Sequence, residues 1–392
     1  MTGPGKSSWP LAFCAGLLGI GQNGLLVVLP QLVEMTGLTL SSWAGLLMFG
    51  SMLFLPASPW WGRVSEVRGC KFVVVASLSG YLASFGILAL AVWMMAEKRI
   101  GMPVGLAALI LSRMVYGLTV SGMVPAAQTW AMQRAGAERR MAALAAISSG
   151  LSCGRLLGPP LAAGALSLYP MAPLWLMAAA PLFALMLIGR EYGDPPLAPV
   201  AHQAARWQSS LLPLLALAAL LALSISLMQI GLAPVLRDYM SAPAAVSRHI
   251  AWLLSLAAIA TLLAQFLVVR PQRLQIQPLL FSAAVLMSAG LGIMVVGNLI
   301  SLYAGIAVTS FGAAMATPAY QLMLNQKLSI GKGAGLIATS HTLGYGLSAL
   351  LIPFITWQWG QHHLLAGAWI ASMMFFMVAC RLRLTASAES AR

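Results

Sequence analysis

The stretch Gly150 to Gly164 reads G-L-S-C-G-R-L-L-G-P-P-L-A-A-G, with Arg155 in its middle. It lies inside a run long enough to cross a bilayer, where a full charge costs roughly 2.5–3.5 kcal/mol. A guanidinium kept there is expected to meet water and a ligand in a cavity, or to be tied to helix-end carbonyls of a neighbour. The ligand it favours is a carboxylate, which Arg grips through two parallel hydrogen bonds. Glycines and the pair Pro159, Pro160 around it are expected to interrupt the helix. Arg113 occupies a second apolar run, sharing a helical face with Tyr116, Gly117 and Val120. His341 occupies a third, with Tyr345 one turn on. An imidazole there either relays protons near neutral pH or packs as a single hydrogen-bonded side chain. Gln22, Asn23 and Gln229 are mid-run amides, suited to a cavity wall or to bonds between helices.

The carboxylates inform by position. All eight, Glu34, Glu66, Glu97, Glu138, Glu191, Asp194, Asp238 and Glu389, fall in loops, tails or the ends of apolar runs. The embedded charges are therefore Arg113, Arg155 and, when protonated, His341. A cavity of that sign favours an anion. The coupling groups then left for a proton are His341 and the end-of-run acids Glu34 and Asp238.

These residues need helices to hold them. The 392 residues are 60% hydrophobic and only 8% charged, with mean hydropathy +0.87. Soluble domains carry about 25% charged residues, so the chain reads as a polytopic membrane protein. The net charge of +14 would suit nucleic acid if it formed a patch, but the basic residues sit in short loops between apolar runs. Twelve runs reach spanning length, at roughly 9–34, 40–62, 72–96, 102–133, 141–167, 171–190, 209–236, 247–269, 277–297, 299–326, 333–357 and 362–381. The first, holding Gln22, Asn23 and Pro30 without a convincing cleavage site, reads as a retained span. Loops and termini on the side of the N-terminus hold sixteen Lys and Arg against four on the other, which places both termini in the cytoplasm. Cys14, Cys70, Cys153 and Cys380 show no CxxC spacing and read as packing residues.

The Pro-rich, charged stretch 191–208 divides the chain into a six-span half at 1–190 and another at 209–392. The halves share landmarks: L-P-Q-L-V-E at Leu29–Glu34 against A-P-V-L-R-D at Ala233–Asp238, and P-A-A-Q at Pro125–Gln128 against P-A-Y-Q at Pro318–Gln321. Aligning Gly344 with Gly158 sets His341 opposite Arg155. A parallel repeat of this kind expects substrate near the midplane, between the halves.

Three stretches resemble signatures of the major facilitator superfamily. G-R-V-S-E-V-R-G-C-K, Gly62 to Lys71, resembles its loop signature; Gly62, Glu66, Gly69 and Lys71 fit, while Glu66 replaces the usual Asp and Val67 and Cys70 replace basic residues. The resemblance implies a latch on the outward-facing state. R-M-V-Y-G, from Arg113, with Pro125 downstream, resembles the proton-transfer signature and implies that Arg113 couples proton movement to transport. Gly154, Gly158 and Pro159 resemble the fifth-helix signature of antiporters, with Ala162 and Ala163 for its Gly pair, which implies an exporter that pivots there. Arg155 lies outside that signature.

The fold expected is all-α: twelve transmembrane helices in two pseudo-symmetric six-helix bundles of the facilitator type. The function expected is alternating-access, proton-coupled export of a small anionic, carboxylate-rich metabolite such as a siderophore, across a bacterial inner membrane. A broad multidrug exporter is the alternative, since 23 Met and 12 Trp suit adaptable apolar walls. No nucleotide-binding loop, hydrolase motif or midplane acid pair points to an enzyme. His362 and His363 adjoin without a good metal ligand set. The partners expected are the anion, protons and lipid, for a monomer with no cofactor, no metal and no nucleic acid.

Overall fold

The structure is a computed structural model that describes residues 8–135, 140–192, 211–269, 271, 274–327 and 330–390. The first half holds α1 (Trp9–Thr36), α2 (Leu40–Met52), α3 (Phe54–Arg68), α4 (Cys70–Ala96), α5 (Met102–Val120), α6 (Met123–Ala135), α7 (Arg140–Leu168) and α8 (Ala172–Gly189). The second holds α9 (Leu212–Arg237), α10 (Pro243–Ala264), α11 (Ile276–Val295), α12 (Leu299–Lys327), α13 (Ile330–Gln358) and α14 (Leu364–Ser390). A π-helical turn, Gln265–Val269, extends α10. In hydrocarbon every backbone N–H and C=O must be satisfied within the chain, which leaves helices as the spanning element for runs this apolar. Pairing α2 with α3 and α5 with α6 gives twelve segments among the described residues. Eleven of them are long and apolar enough to cross a membrane. The twelfth, α7, has 29 residues, about 43 Å of helix against a hydrocarbon core of about 30 Å. Several helices overrun their expected ends, α3 to Arg68 and α14 to Ser390, because hydropathy falls where a helix enters water but the helix does not stop there.

The breaks within spans are built locally. Between α5 and α6, a Cβ at Gly122 would come within 2.7–2.9 Å of Trp61 and Val73. Carbonyls in the last turn of α5 are taken by neighbouring side chains: Trp61 Nε1 donates to Leu118 O at 2.6 Å and Ser77 Oγ to Thr119 O at 2.9 Å. The expected loop at 62–71 shrinks to one residue. Gly69, at φ 84° and ψ 157°, ends α3 and starts α4, in a backbone region open to glycine and strained for other residues.

The expected interruption of the fifth span does not occur. α7 runs unbroken through Pro159 and Pro160. Proline in a membrane helix is tolerated when neighbours satisfy the carbonyl it frees, and for the carbonyl that Pro159 frees a side chain of α1 does so.

Contacts group the chain into two compact units. One holds α1–α8 with residues 243–251, the other α9, the rest of α10 and α11–α14. In the first, α1 packs along α7, and α4 packs on α5 and α8, with Trp43, Tyr81, Phe85 and Trp130 fully buried. In the second, α11 packs on α12, and α9 on α13 and α14, around Met287, Tyr320 and Phe375. Of the expected linker 191–208, only Glu191 and Tyr192 lie among the described residues.

Candidate functional site

The first unit has a buried cationic centre. Arg113, 3% exposed, donates from Nη2 to Ser84 Oγ at 3.2 Å and Ser112 Oγ at 3.1 Å. The two serines are bound to each other's backbones: Ser84 Oγ donates to Ser112 O and Ser112 Oγ to Ser84 O, both at 2.9 Å. Both hydroxyl protons are thereby directed at carbonyls, leaving the oxygens to accept from Arg113. The guanidinium carbon lies 5.3 Å from the Phe85 ring and 5.2 Å from the Tyr116 ring, within cation–π range. Arg113 Nε is buried without a hydrogen-bond partner, and no carboxylate stands within ion-pair distance among the described residues. Tyr116 also receives the side chain of Gln22, which is exposed on α1. Arg113, Tyr116 and Gln22 thus come together, with Tyr81 and Phe85 stacked behind them at 4.5 Å.

Arg155 is exposed on α7. Ser148, Ser152 and Arg155 follow the i, i+4, i+7 spacing of one helix face, with Ser148 exposed and Ser152 half-buried. Leu157, Leu161 and Leu168 are exposed too, about half a turn around the helix from that polar strip. Between the strips runs a seam against α1. A Cβ at Gly150 would lie 2.1 Å from Ala12 O, one at Gly154 1.9 Å from Gly16 O, and one at Gly158 2.9 Å from Ile20 O. Only glycine allows the backbones this close. Asn23 adds a bond across the seam, donating from Nδ2 to Arg155 O at 3.0 Å. Its amide is therefore engaged helix to helix, the second of the two uses its position allowed.

In the second unit, His341 Nε2 lies 2.6 Å from the hydroxyl of Tyr320, which lies 3.1 Å from Thr317 Oγ1. Tyr345 is close enough to Tyr320 to interact electrostatically. Gln229 is half-buried on α9. Tyr320 is the residue sequence reasoning missed. The available signal was the repeat itself: P-A-A-Q carries Ala127 where P-A-Y-Q carries Tyr320, a large polar ring in place of a methyl.

The structure also corrects the repeat register. Counted back from the last residues of α7 and α13, Leu168 and Gln358, Gly344 falls at the place of Gly154. Packing agrees: a Cβ at Gly344 would lie 2.1 Å from Ala219 O of α9, as one at Gly154 meets Gly16 O of α1. Tyr345, not His341, is then the counterpart of Arg155, and His341 answers to Leu151. Gly154 and Gly158 both lie within four residues of Arg155, and spacing alone does not choose between them as the counterpart of Gly344. Backbone contact separates the two glycines where composition does not.

The remaining residues lie at helix ends. Lys71 Nζ reaches Gly189 O at 3.2 Å and also Glu191 O. Arg134, over the Trp130 ring at 4.3 Å, pairs with Glu191 Oε2 at 2.8 Å and donates to Tyr192 O at 2.7 Å. Cations at the end of α8 complement its terminal carbonyls. Glu66 is half-buried and Gly62 exposed; among the described residues Glu66 pairs with neither Lys71 nor Arg68. Glu34 is exposed in the last turn of α1. Asp238 pairs with His362 at 3.2 Å, an ion pair only when the imidazole is protonated. Among the described residues no three His, Cys, Asp or Glu gather as a metal site.

With both side chains half exposed or more, 50% and 57%, the Asp238 pair is worth about 0–1 kcal/mol. Asp238→Asn is expected to shift the Tm of the purified protein by no more than about 3 °C. A larger loss would give the pair a structural role that its exposure denies it.

The family model described as Major Facilitator Superfamily matches residues 11–236, more than half of the chain. The chain belongs to the major facilitator superfamily. Its curated relatives include the "Multidrug resistance protein MdtG" of Proteus mirabilis, 26% identical over 212 residues that cover 52% of this chain and 50% of that protein. The protein of the same name from Salmonella paratyphi A is 30% identical over 178 residues, 44% of this chain and 41% of that one. The chain thus spans about half the length of the curated relatives it matches. Among solved structures, a bacterial homologue of the iron transporter ferroportin, in the inward-facing state, superposes with TM-score 0.71 at 16% identity, over 95% of this chain and 98% of that one. The peptide transporter POT gives 0.72 at 16% identity, over 95% and 94%. At such identities the likeness shows the fold, the twelve-helix architecture of multi-pass membrane proteins of this superfamily.

Proposed function

We propose that this facilitator exports small organic anions, carboxylate-rich metabolites such as a carboxylate-type siderophore, in exchange for protons. Alternating access in a bacterial inner membrane, with both termini in the cytoplasm, completes the reading. The observation that carries it is the exposed guanidinium of Arg155 on a polar strip of a membrane-embedded helix. Arg113 adds a second embedded positive charge, and the described carboxylates lie at helix ends. Arg155, with the neighbouring serines, is the ligand for the passenger; Arg113 and His341 answer to the proton. The efflux direction draws support from the fifth-helix signature and from relatives whose printed name is multidrug resistance protein.

The test uses inverted membrane vesicles acidified by respiration, with a quenched pH dye reporting proton release. Citrate, as a polycarboxylate probe, is expected to dequench the dye, and Arg155→Ala is expected to abolish that response. Transport by Arg155→Ala at the parent rate would end the anion reading. The second reading, broad multidrug efflux, is favoured by the name of the relatives. It requires dequenching by several unrelated lipophilic compounds, tetraphenylphosphonium among them, with no dependence on Arg155.

A further inference from the structure

Pro159 stands four residues after Arg155 in an unbroken helix. The N–H that would donate to Arg155 O is the one proline lacks. A freed carbonyl in a membrane helix needs a donor from elsewhere, and Asn23 Nδ2 on α1 supplies it at 3.0 Å. We infer that Asn23 is a positioning residue: it completes the ladder of α7 from outside, and so fixes the backbone that carries Arg155.

Three further observations fit. The seam around this bond is backbone against backbone. A Cβ at Gly19 would lie 2.5 Å from Leu151 O and 2.6 Å from Arg155 N, so α1 passes close enough for a side chain as short as Asn to reach. The reach is directed at one carbonyl, that of the residue with the exposed guanidinium, rather than at a solvent-facing group. The second unit ties its corresponding helices at the same level by a different route. There Ala349 takes the place of Pro159 in the register counted from the C-terminal ends of the two helices, so the main-chain N–H is present. The tie is made by side chains instead: Ser226 Oγ of α9 lies 2.7 Å from Ser348 Oγ of α13, which donates to Tyr345 O at 2.6 Å. Tyr345 is the counterpart of Arg155. A direct amide-to-carbonyl bond occurs where proline has removed the internal donor, and a hydroxyl pair where it has not.

The clasp stands whatever Arg155 binds; its part in presenting the guanidinium rests on the anion reading above. The experiment is a double-mutant cycle on the full-length purified carrier. Asn23→Leu keeps the volume and removes the donor. It is expected to lower Tm by about 5 °C, the loss of one hydrogen bond that leaves a carbonyl unpaired. Pro159→Ala restores the N–H to Arg155 O. In the double variant the Asn23→Leu penalty is expected to vanish, leaving Tm within about 1 °C of Pro159→Ala alone. If Asn23→Leu fails to accumulate in the membrane, recovery of expression in the double variant is the equivalent result. Additive penalties, or a double variant that also fails while Pro159→Ala accumulates, would overturn the inference.

Positioning is read separately, from the citrate concentration giving half-maximal dequenching per mole of folded carrier. It is expected to rise several-fold in Asn23→Leu and to return, in the double variant, to the value of Pro159→Ala. A half-maximal concentration unmoved by Asn23→Leu would leave a clasp without a positioning role and overturn that part. A parent carrier indifferent to citrate sinks the anion reading and leaves the Tm cycle to decide the clasp.

Discussion

Gly154→Ala is expected to prevent this facilitator from accumulating as a folded protein, although it adds one methyl group. The added Cβ would lie 1.9 Å from Gly16 O, and 2.7 and 2.8 Å from Gly16 C and Cα. None of these atoms belongs to a side chain that can turn away. Relief needs α1 and α7 to separate by more than an ångström, and the seam resists over its whole length, through Gly150 against Ala12 and Gly19 against Leu151. Overpacking a well-filled core costs about 1–3 kcal/mol, and more when backbone must move; this site is expected to exceed the upper figure. The control lies in the same helix. A Cβ at Gly164 meets nothing within 4 Å, so Gly164→Ala is expected to be neutral or to stabilise by up to about 1 kcal/mol through helix propensity. Expression and thermal unfolding by fluorescence-detected size exclusion would compare the two. Equal behaviour would mean that the seam is looser than these contacts imply.

That seam marks the limit of what the residues alone disclose. The twelve spans were legible because hydrocarbon imposes long apolar runs on any helix that crosses it, and Arg113 and Arg155 stood out against that background. The small residues of the fifth span were legible as small, but not the helix they face. Gly154 opposes Gly16 because α1 runs beside α7, a tertiary fact with no trace in spacing. The prolines were legible as helix breakers, yet α7 continues through them, and at Pro159 the missing donor is replaced by Asn23, from 132 residues away in the chain. The 62–71 stretch looked like a loop because it is charged. Its backbone stays helical to Arg68 and turns on Gly69 alone, since charge reports exposure to water rather than conformation. Tyr320 escaped notice because a Tyr in an apolar run is ordinary until His341, on another helix, is found 2.6 Å away. Glu191 was one acid among eight until Arg134 and Lys71 converged on the end of α8.

Arg113→Met is expected to leave the fold at least as stable as the parent while coupled transport is lost. The residue is 3% exposed, and a buried charge has surrendered its hydration. Its compensation is incomplete: two serine oxygens accept from Nη2, two ring faces flank the guanidinium carbon, and Nε has no partner. Replacing buried ionic groups by apolar side chains of similar volume is often neutral, or stabilising by about 1–4 kcal/mol. The serines do not become orphans when Arg113 goes, because each hydroxyl already donates to the other residue's carbonyl. Met fills the stem volume and offers its sulfur to Phe85 and Tyr116. Arg113→Lys is expected to do worse in stability than Met, since a compact ammonium keeps the desolvation penalty and cannot match the planar contacts with both rings. The measurements are Tm for the two variants and proton-coupled transport in vesicles, expected to be lost for Met, since an ionisable group embedded in a membrane helix is functional by default. A Tm falling by many degrees in Arg113→Met would make the guanidinium a structural keystone. A Tm that holds while coupling disappears would mean that the first unit keeps an unfavourable charge for what it does in transport, because nothing in the packing of α4 and α5 requires it.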